Sequence, residues 1–535
     1  MKKDNETGRP SLPRETTFSI LKQAPSKRSF KEYLWEENKI YSLLMIFLMI
    51  VQFIIFKLCY PYPDFFSDSY SYIIAAYQHL DVNIWPIGYS KFLSLFHWFT
   101  HSATALNFFQ YMVLELAALY FYHTIVYFFH TGSKTRTFLC LFLFFNPLSL
   151  YLANYVTTDA IFVGLSLIWL TQLIWVIKRP KPYQFVIISI VFFIAFTFRY
   201  NAMYYPIITA VAFYFSRQKL VFKLAGILTG PVMIIPFILF ASNAAKQMTG
   251  TAQFPPILGG WQWGNNALYM RGFIEEDSTQ FPSAETAELD QIARRYFSQP
   301  SRPQDELASY VANFFIRQPE APLKQYLFRH QKMDSDIGEV AAWGKVAPVF
   351  QQYGLFLIKR HPVAFARYYM LVNLKNYFFP PLEKLEIYNL GQDQIAPIAA
   401  YWFDLGTTKI TVISKTLQGI LLLIYPALFF VLNAYFAWNL YIIFRRKEWR
   451  KPSVFTPTVL LVSLFLFLNA CFSVFANIIV IRYQVFPMII FLAFGMLLTD
   501  SLELANGYLK LPLGGSKLDK KDNFGNSQEL TPNIM

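Results

Sequence analysis

Residues 60–98 read YPYPDFFSDSYSYIIAAYQHLDVNIWPIGYSKFLSLFHW, directly after YSLLMIFLMIVQFIIFKLCY at 41–60. The earlier run is apolar and long enough to cross a bilayer as a helix. The later one cannot cross: it carries Asp64 and Asp68, then Tyr72, Ile73, Ala76, Tyr77 and Leu80 at helical spacing with Ser71 and Gln78 between them. A helix along the membrane surface fits that pattern. Trp85, Pro86 and Gly88 break it, and 91–98 resumes an amphipathic pattern rich in interfacial aromatics. A spanning helix and then an acidic surface loop therefore open the membrane part of the chain, and apolar runs recur along most of the remaining sequence.

Composition agrees. A chain of 535 residues that is 55% hydrophobic, 19% aromatic and only 15% charged has more apolar side chain than a soluble core can hide. Further apolar runs fall at 103–129, 137–153, 159–177, 183–198, 201–215 and 221–243, then at 410–444, 456–475 and 477–498. The expected fold is an all-α polytopic membrane protein of about ten transmembrane helices. No alternating barrel pattern competes with it.

The net charge of +14 would suggest nucleic acid in a soluble protein. Here the basic residues gather in the N-terminal arm and in alternate links: Lys134 and Arg136; Lys178, Arg179 and Lys181; Arg217, Lys219 and Lys223; and Arg445 to Lys447 with Arg450 and Lys451. The remaining short links hold almost none, so the asymmetry sets topology. It predicts a cytoplasmic arm at 1–40 without a removable signal peptide, a transmembrane block at 41–243 with its first outer loop at 61–102, and a mainly helical extracytoplasmic domain at 244–409. A second transmembrane block at 410–499 and a disordered cytoplasmic tail at 500–535 complete the chain. Within the domain, 284–297 and 304–317 read as amphipathic helices, and 346–379 as helical with a break at Arg360, His361 and Pro362. The absence of an Asn-x-Ser/Thr acceptor site there favours a bacterial inner membrane over a secretory-pathway one.

Topology also selects a site. Asp64, Asp68, Asp159, Arg199 and Arg482 all fall at outer ends of spans or in outer links. Acids and guanidinium groups at one membrane face suit transfer from an anionic lipid carrier: a carboxylate takes the proton of an acceptor hydroxyl while arginines neutralise a phosphate leaving group. Helix capping by Asp68 or Asp159 and snorkelling of the arginines are the plainer alternatives. Other candidates carry less. His97 and His101 have a metal-ligand spacing but no nearby third ligand, and Cys59, Cys140 and Cys471 form no CxxC pair. Gly264, Asn265 and Asn266 read as an acceptor-facing loop or a turn, and Trp261, Trp263 and Trp343 as sugar platforms or interface anchors. Neither a P-loop nor a dinucleotide fingerprint is present.

Several of these stretches together resemble the C-type polytopic membrane glycosyltransferases (GT-C fold), which include protein O-mannosyltransferases and bacterial lipid A aminoarabinose transferases. Asp68-Ser69-x-x-Tyr72 with Pro86-x-Gly88-Tyr89-x-x-Phe92-Leu93 after it is similar to that family's first outer loop. Asn146-Pro147 with Thr158-Asp159, Arg199-Tyr200-Asn201, and Arg482-Tyr483 with Pro487 are similar to its later landmarks, in order. The resemblance implies a GT-C-like fold, a polyprenyl-phosphate-linked sugar donor, an outward-facing site and a first-loop acid as catalytic residue. Asp68 matches that acid best and Asp64 second, with Asp159 in support. Arg199, Arg482 and Tyr483 are the expected phosphate ligands, and Tyr72, Tyr89, Asn201 and Asn265 the candidates for sugar and acceptor. Serines flank Asp68 where members carry two adjacent acids, so the base and a divalent cation stay open. The acceptor, whether glycan, lipid or protein, also stays open. A diphosphate-using polysaccharide polymerase or ligase and a lipid-linked sugar flippase are the rival functions; the latter calls for repeat symmetry that the sequence lacks.

Overall fold

The computed structural model describes residues 29–277, 280–299, 313–333, 335–447, 457–476 and 479–505. Most of the expected arm and tail, residues 304–312 of the helix expected over 304–317, and Arg450 and Lys451 lie outside the described residues.

Helices α1 (Lys39–Cys59), α2 (Ser67–Tyr77), α3 (Gly88–His97) and α4 (Ala103–Phe128) match the sequence pattern closely. Next come α5 (Ser133–Phe144) and α6 (Pro147–Asn154). They form one span broken where Asn146 accepts the Leu148 backbone N–H at 2.9 Å and Pro147 opens the second half. Helix α7 (Asp159–Lys178) is buried nearly all round, as its uniformly apolar sequence requires. It packs most extensively on α4.

The next two expected spans are shorter than a full crossing. Helix α8 (Gln184–Phe198) has 15 residues and α9 (Tyr205–Phe215) has 11, with a 3-10 turn at Tyr200–Tyr204 between them. Arg199 and Pro206 set the break: Arg199 leaves helical geometry at φ −149°, and Pro206 begins a new helix. Helix α10 (Leu220–Thr249) then runs for 30 residues.

The polar domain contains α11 (Leu258–Arg271), α12 (Ala284–Phe297), the single turn α13 (Phe314–Arg317), α14 (Pro322–His330) and α15 (Asp336–Arg360), and α16 (Leu371–Phe378) follows, packed on the bundle through Tyr377. Three more helices complete the bundle: α17 (Tyr425–Arg445), α18 (Pro457–Ala476) and α19 (Val485–Ala505). Among the described residues, eight helical segments are long and apolar enough to cross a membrane, which makes this an all-α multi-pass membrane protein.

Two hydrophobic cores organise these helices. One fills the bundle; the other runs from Ala244 to Tyr369 and takes in Val82 and Val480. In the second, α11 lies directly against α15. A Cβ on Gly260 would strike the Ala347 carbonyl and one on Gly354 the Trp263 carbonyl, so glycine lets the two backbones touch. This places Gly264, Asn265 and Asn266 inside a buried helix rather than in a loop or turn. Turn-like composition gave way to the demand for small residues at a helix contact.

From α16 onward the chain is back at the bundle. Leu382, Leu385 and Tyr388 join its core. Tyr388 donates to the Pro63 carbonyl at 2.8 Å, Tyr155 to the Lys384 carbonyl at 2.5 Å, and the Ile481 N–H to the Pro381 carbonyl at 3.0 Å. The 380–391 loop is thereby pressed onto the first loop and the start of the last span.

Candidate functional site

The site is built around Asp159, the first residue of α7. Its carboxylate pairs with Arg199 through Oδ1, and its Oδ2 accepts from Arg482 Nη1 at 2.8 Å and from Thr157 Oγ1 at 3.1 Å. Only 2% of the Asp159 side chain is exposed. A buried carboxylate at a helix N-terminus between two guanidinium groups is held by both the helix dipole and its partners. Tyr483 is part of the same assembly: its ring lies 4.1 Å beneath the Arg199 guanidinium, and its hydroxyl accepts from Arg482 Nη2 at 3.4 Å.

Arg482 extends the network. Its Nη2 reaches Glu383 Oε2 at 3.3 Å, while Glu383 Oε1 meets Arg317 Nη2 at 2.6 Å. Burial opposes a charge on Glu383, but Arg482, Arg317 and Lys384 outweigh it and hold its carboxyl down at about 2. Glu383 also takes a left-handed backbone, φ +55°, which is strained for a residue with a side chain.

Asp68 enters from the other side. Its Oδ2 lies 3.1 Å from Lys384 Nζ, and Ser67 Oγ donates to its Oδ1 at 3.2 Å. The plain capping role falls to another side chain: Ser69 Oγ accepts the Phe66 N–H at 3.3 Å. Asp68 itself sits in the first turn of α2, where the helix dipole favours its charge. The Lys384 ammonium rests 3.7 Å from the Phe66 ring centre, and the Arg482 guanidinium lies 5.1 Å from the same ring. Burial pulls the Lys384 ammonium down to about 8 although Asp68 opposes that shift.

Asp64 is placed differently. It is buried, accepts the Asn389 N–H at 2.8 Å through Oδ1, and lies beside Tyr155 in an isolated bridge. Burial raises its carboxyl to about 8, only partly offset by the Asn389 N–H, so it is largely uncharged at neutral pH. No ion pair reaches it among the described residues. Tyr72 and Tyr89 pack edge to face within the core at 5.0 Å, and Tyr89 donates to Gln110 Oε1 at 2.8 Å. The Tyr89 ring stays in the bundle core, whereas the buried Tyr72 hydroxyl lies within electrostatic reach of Asp68, Asp159, Arg199 and Tyr483, which places it beside the charged cluster. Asn265 is fully buried against Asn266 in the second core. Asn201 does line the site, in a crevice of about 20 Å³ that it shares with Phe162, Arg199, Tyr204, Asn469 and Tyr483. This is room for a water.

Of the residues expected from the sequence, Asp68, Tyr72, Asp159, Arg199, Asn201, Arg482 and Tyr483 come together here, joined by three that were not foreseen, Lys384, Glu383 and Arg317. The last three lie in charged segments with no motif around them; the paired Pro380 and Pro381 mark a loop before two of them, and nothing more.

The other candidates have local explanations. His97 stacks between His101, at 3.8 Å, and Trp402, at 4.0 Å, while His101 Nδ1 pairs with Asp404 at 2.7 Å. Among the described residues, no three His, Cys, Asp or Glu side chains come together as metal ligands would, and each carboxylate of the charged cluster already faces a cation of the chain. That donor set does not fit a divalent ion. Trp261 and Trp343 stack at 4.1 Å with the Lys324 ammonium 3.8 Å from the Trp343 ring. A larger cleft of about 560 Å³ lies in the polar domain by Arg271, Glu276, Arg294 and Arg360. Its charges are bound to partners within the domain, Arg271 to Asp290 at 2.6 Å and Arg360 to Glu276 at 2.9 Å.

Comparisons with protein-family models, with curated proteins and with solved structures give no match to this chain.

Proposed function

We propose that this protein is an integral membrane glycosyltransferase that moves a sugar from a polyprenyl-monophosphate carrier to an acceptor hydroxyl at the outer face of the membrane. The observation that carries the reading is the charge balance of the cluster. Among the described residues, four cations, Arg199, Arg317, Lys384 and Arg482, surround three carboxylates, Asp68, Asp159 and Glu383. Asp64, held neutral by burial, stands outside this count.

One positive charge is left over, and a sugar phosphodiester brings one negative charge. Transfer keeps the balance. The acceptor oxygen bonds to the anomeric carbon, its proton passes to Asp68, and the sugar–oxygen bond to phosphate breaks with its electron pair on the phosphate. Asp68 loses a negative charge as the phosphate gains one. A diphosphate carrier would bring a second negative charge that the cluster does not match, which favours a transferase over a polymerase of diphosphate-linked glycans. Asp68 is the base, Arg199 and Arg482 are the phosphate's electrostatic partners, and Asp159 orients both.

The test is release of labelled sugar from a polyprenyl-phosphate-sugar pool in membranes containing wild-type protein or Asp68→Asn at equal insertion. Wild type releases sugar, and the variant falls by about 10²–10⁴-fold, the usual worth of a positioned general base. Equal release by both removes Asp68 from the mechanism. No release by wild type, with turnover of a diphosphate-linked donor instead, overturns the monophosphate reading.

A further inference from the structure

Lys384 is an unusual counter-ion for a catalytic carboxylate. Its side chain is 6% exposed and that of Asp68 14%, so the pair is largely withdrawn from bulk water. Its backbone is fixed, because Tyr155 donates to the Lys384 carbonyl and Asn389 and Tyr388 tie the same loop to residues 63 and 64. The ammonium at the end of a four-carbon stem remains the adjustable part. It is a point charge that can turn about its stem, whereas the forked arginines beside it are each committed to geometry with Asp159 or Glu383. Arg482 and Lys384 share one aromatic neighbour, Phe66. A phosphate drawn to Arg482 thus arrives beside the ammonium that occupies Asp68.

Building on the transferase reading, we propose that Lys384 is an exchangeable counter-ion: it occupies Asp68 in the empty site and moves to the carrier phosphate when donor binds, freeing Asp68 to accept the acceptor's proton. The ammonium stays protonated throughout. The exchange imposes an order, donor before acceptor, because the base is blocked until the phosphate is present. Lys384 also becomes a donor-binding residue contributed by the 380–391 loop. The groups facing it are Asp68 from α2, Arg482 from the start of the last span, Arg317 from α13, and Glu383 on its own loop, with the Phe66 ring on the remaining side.

Binding of a polyprenyl methyl phosphodiester, which carries the donor's single negative charge but no sugar, to the full-length protein in nanodiscs tests the exchange without requiring turnover. Between pH 7.5 and 9.5 the probe's own charge is nearly constant while Lys384 loses its proton, since its ammonium titrates near 8. Wild-type affinity is expected to fall about 10-fold over that range, and Lys384→Arg to abolish the fall by keeping its charge. Asp68→Asn should bind the probe about 5-fold more tightly than wild type at pH 7.5, because no carboxylate then competes for Lys384. In a Lys384→Met background the same Asp68→Asn change should bring no gain.

A gain that persists without Lys384 reflects simple repulsion between Asp68 and phosphate and overturns the exchange. So does a wild-type affinity indifferent to pH over this range. If the binding results hold but wild type releases no sugar from any monophosphate donor, the transferase reading fails while the phosphate site stands. If wild type transfers sugar and the binding results fail, the exchange alone is lost.

Discussion

Asn389 donates its backbone N–H to Asp64 Oδ1 at 2.8 Å, so an acid of the first loop holds in place the distant loop that presents Glu383 and Lys384. Asp64 therefore acts on the site through structure, without touching the charged cluster. Asp64→Asn keeps an acceptor for Asn389 and should preserve the proposed sugar transfer within about 3-fold, whereas Asp64→Ala leaves a buried N–H unpaired and should cost about 1–3 kcal/mol. Thermal unfolding and transfer assays on the two variants check this. Transfer lost in Asp64→Asn at normal stability would give Asp64 a direct role.

The same carboxyl makes stability depend on pH with a definite sign. Its folded value is raised to about 8, against about 3.9 for a free Asp. The folded state therefore holds a proton that the unfolded chain releases, and this contribution is complete below about pH 4 and declines as pH rises towards 8. Asp64→Asn, with no proton to lose, should flatten that part of the stability profile. An unchanged profile across pH 4–8 contradicts the assignment.

Asp159 neutralises Arg199 and Arg482 together, and removing its charge leaves two guanidinium groups facing each other in a closed site. Asp159→Asn should destabilise the protein by about 3–5 kcal/mol, with partial recovery when Arg199→Gln is added. Denaturation of the detergent-solubilised variants reads both effects. Wild-type stability in the single variant is the contrary result.

Arg482 spans Asp159 and Glu383 with the two arms of one fork. Lysine keeps the charge but offers only a single ammonium, so Arg482→Lys should lower transfer by about 10²-fold or more. Activity near wild type would mean that charge alone suffices there.

In the polar domain, a methyl group on Gly354 meets the Trp263 carbonyl. Gly354→Ala should cost about 1–3 kcal/mol by forcing α15 away from α11. Membrane insertion should be unaffected, because the strain lies in the second core. Proteolysis of the folded variant should begin within the polar domain, and resistance equal to wild type would show that the helices can part freely.

These elements were legible in the sequence to different degrees. Long apolar runs locate most of the bundle helices, and the positions of Asp68, Asp159, Arg199 and Arg482 at corresponding span ends foreshadow their meeting. The shortness of α8 and α9 is harder to read, because Arg199 ends one helix by turning inward to Asp159, a tertiary event. Lys384, Glu383 and Arg317 are invisible for a similar reason. The first two reach the site only after Tyr388 and Asn389 dock on residues 63 and 64, and Arg317 meets Glu383 only once that loop is in place. Tyr89 carries the opposite lesson: its ring is buried in the bundle core and its hydroxyl is committed to Gln110.

Helix α10 is common to both cores, with Phe237 and Ala241 in the bundle and Ala244 and Ala245 in the polar domain. Its 30 residues make a rod of about 45 Å along the helix, with Pro231 and Pro236 inside its bundle half. A rod of this kind fixes azimuth as well as height. One residue inserted between Ala241 and Ala244 would raise the polar domain by about 1.5 Å and rotate it by about 100°. The rotation would swing Arg317 away from Glu383, so the reading frame of a single helix sets how the two halves of the protein face each other.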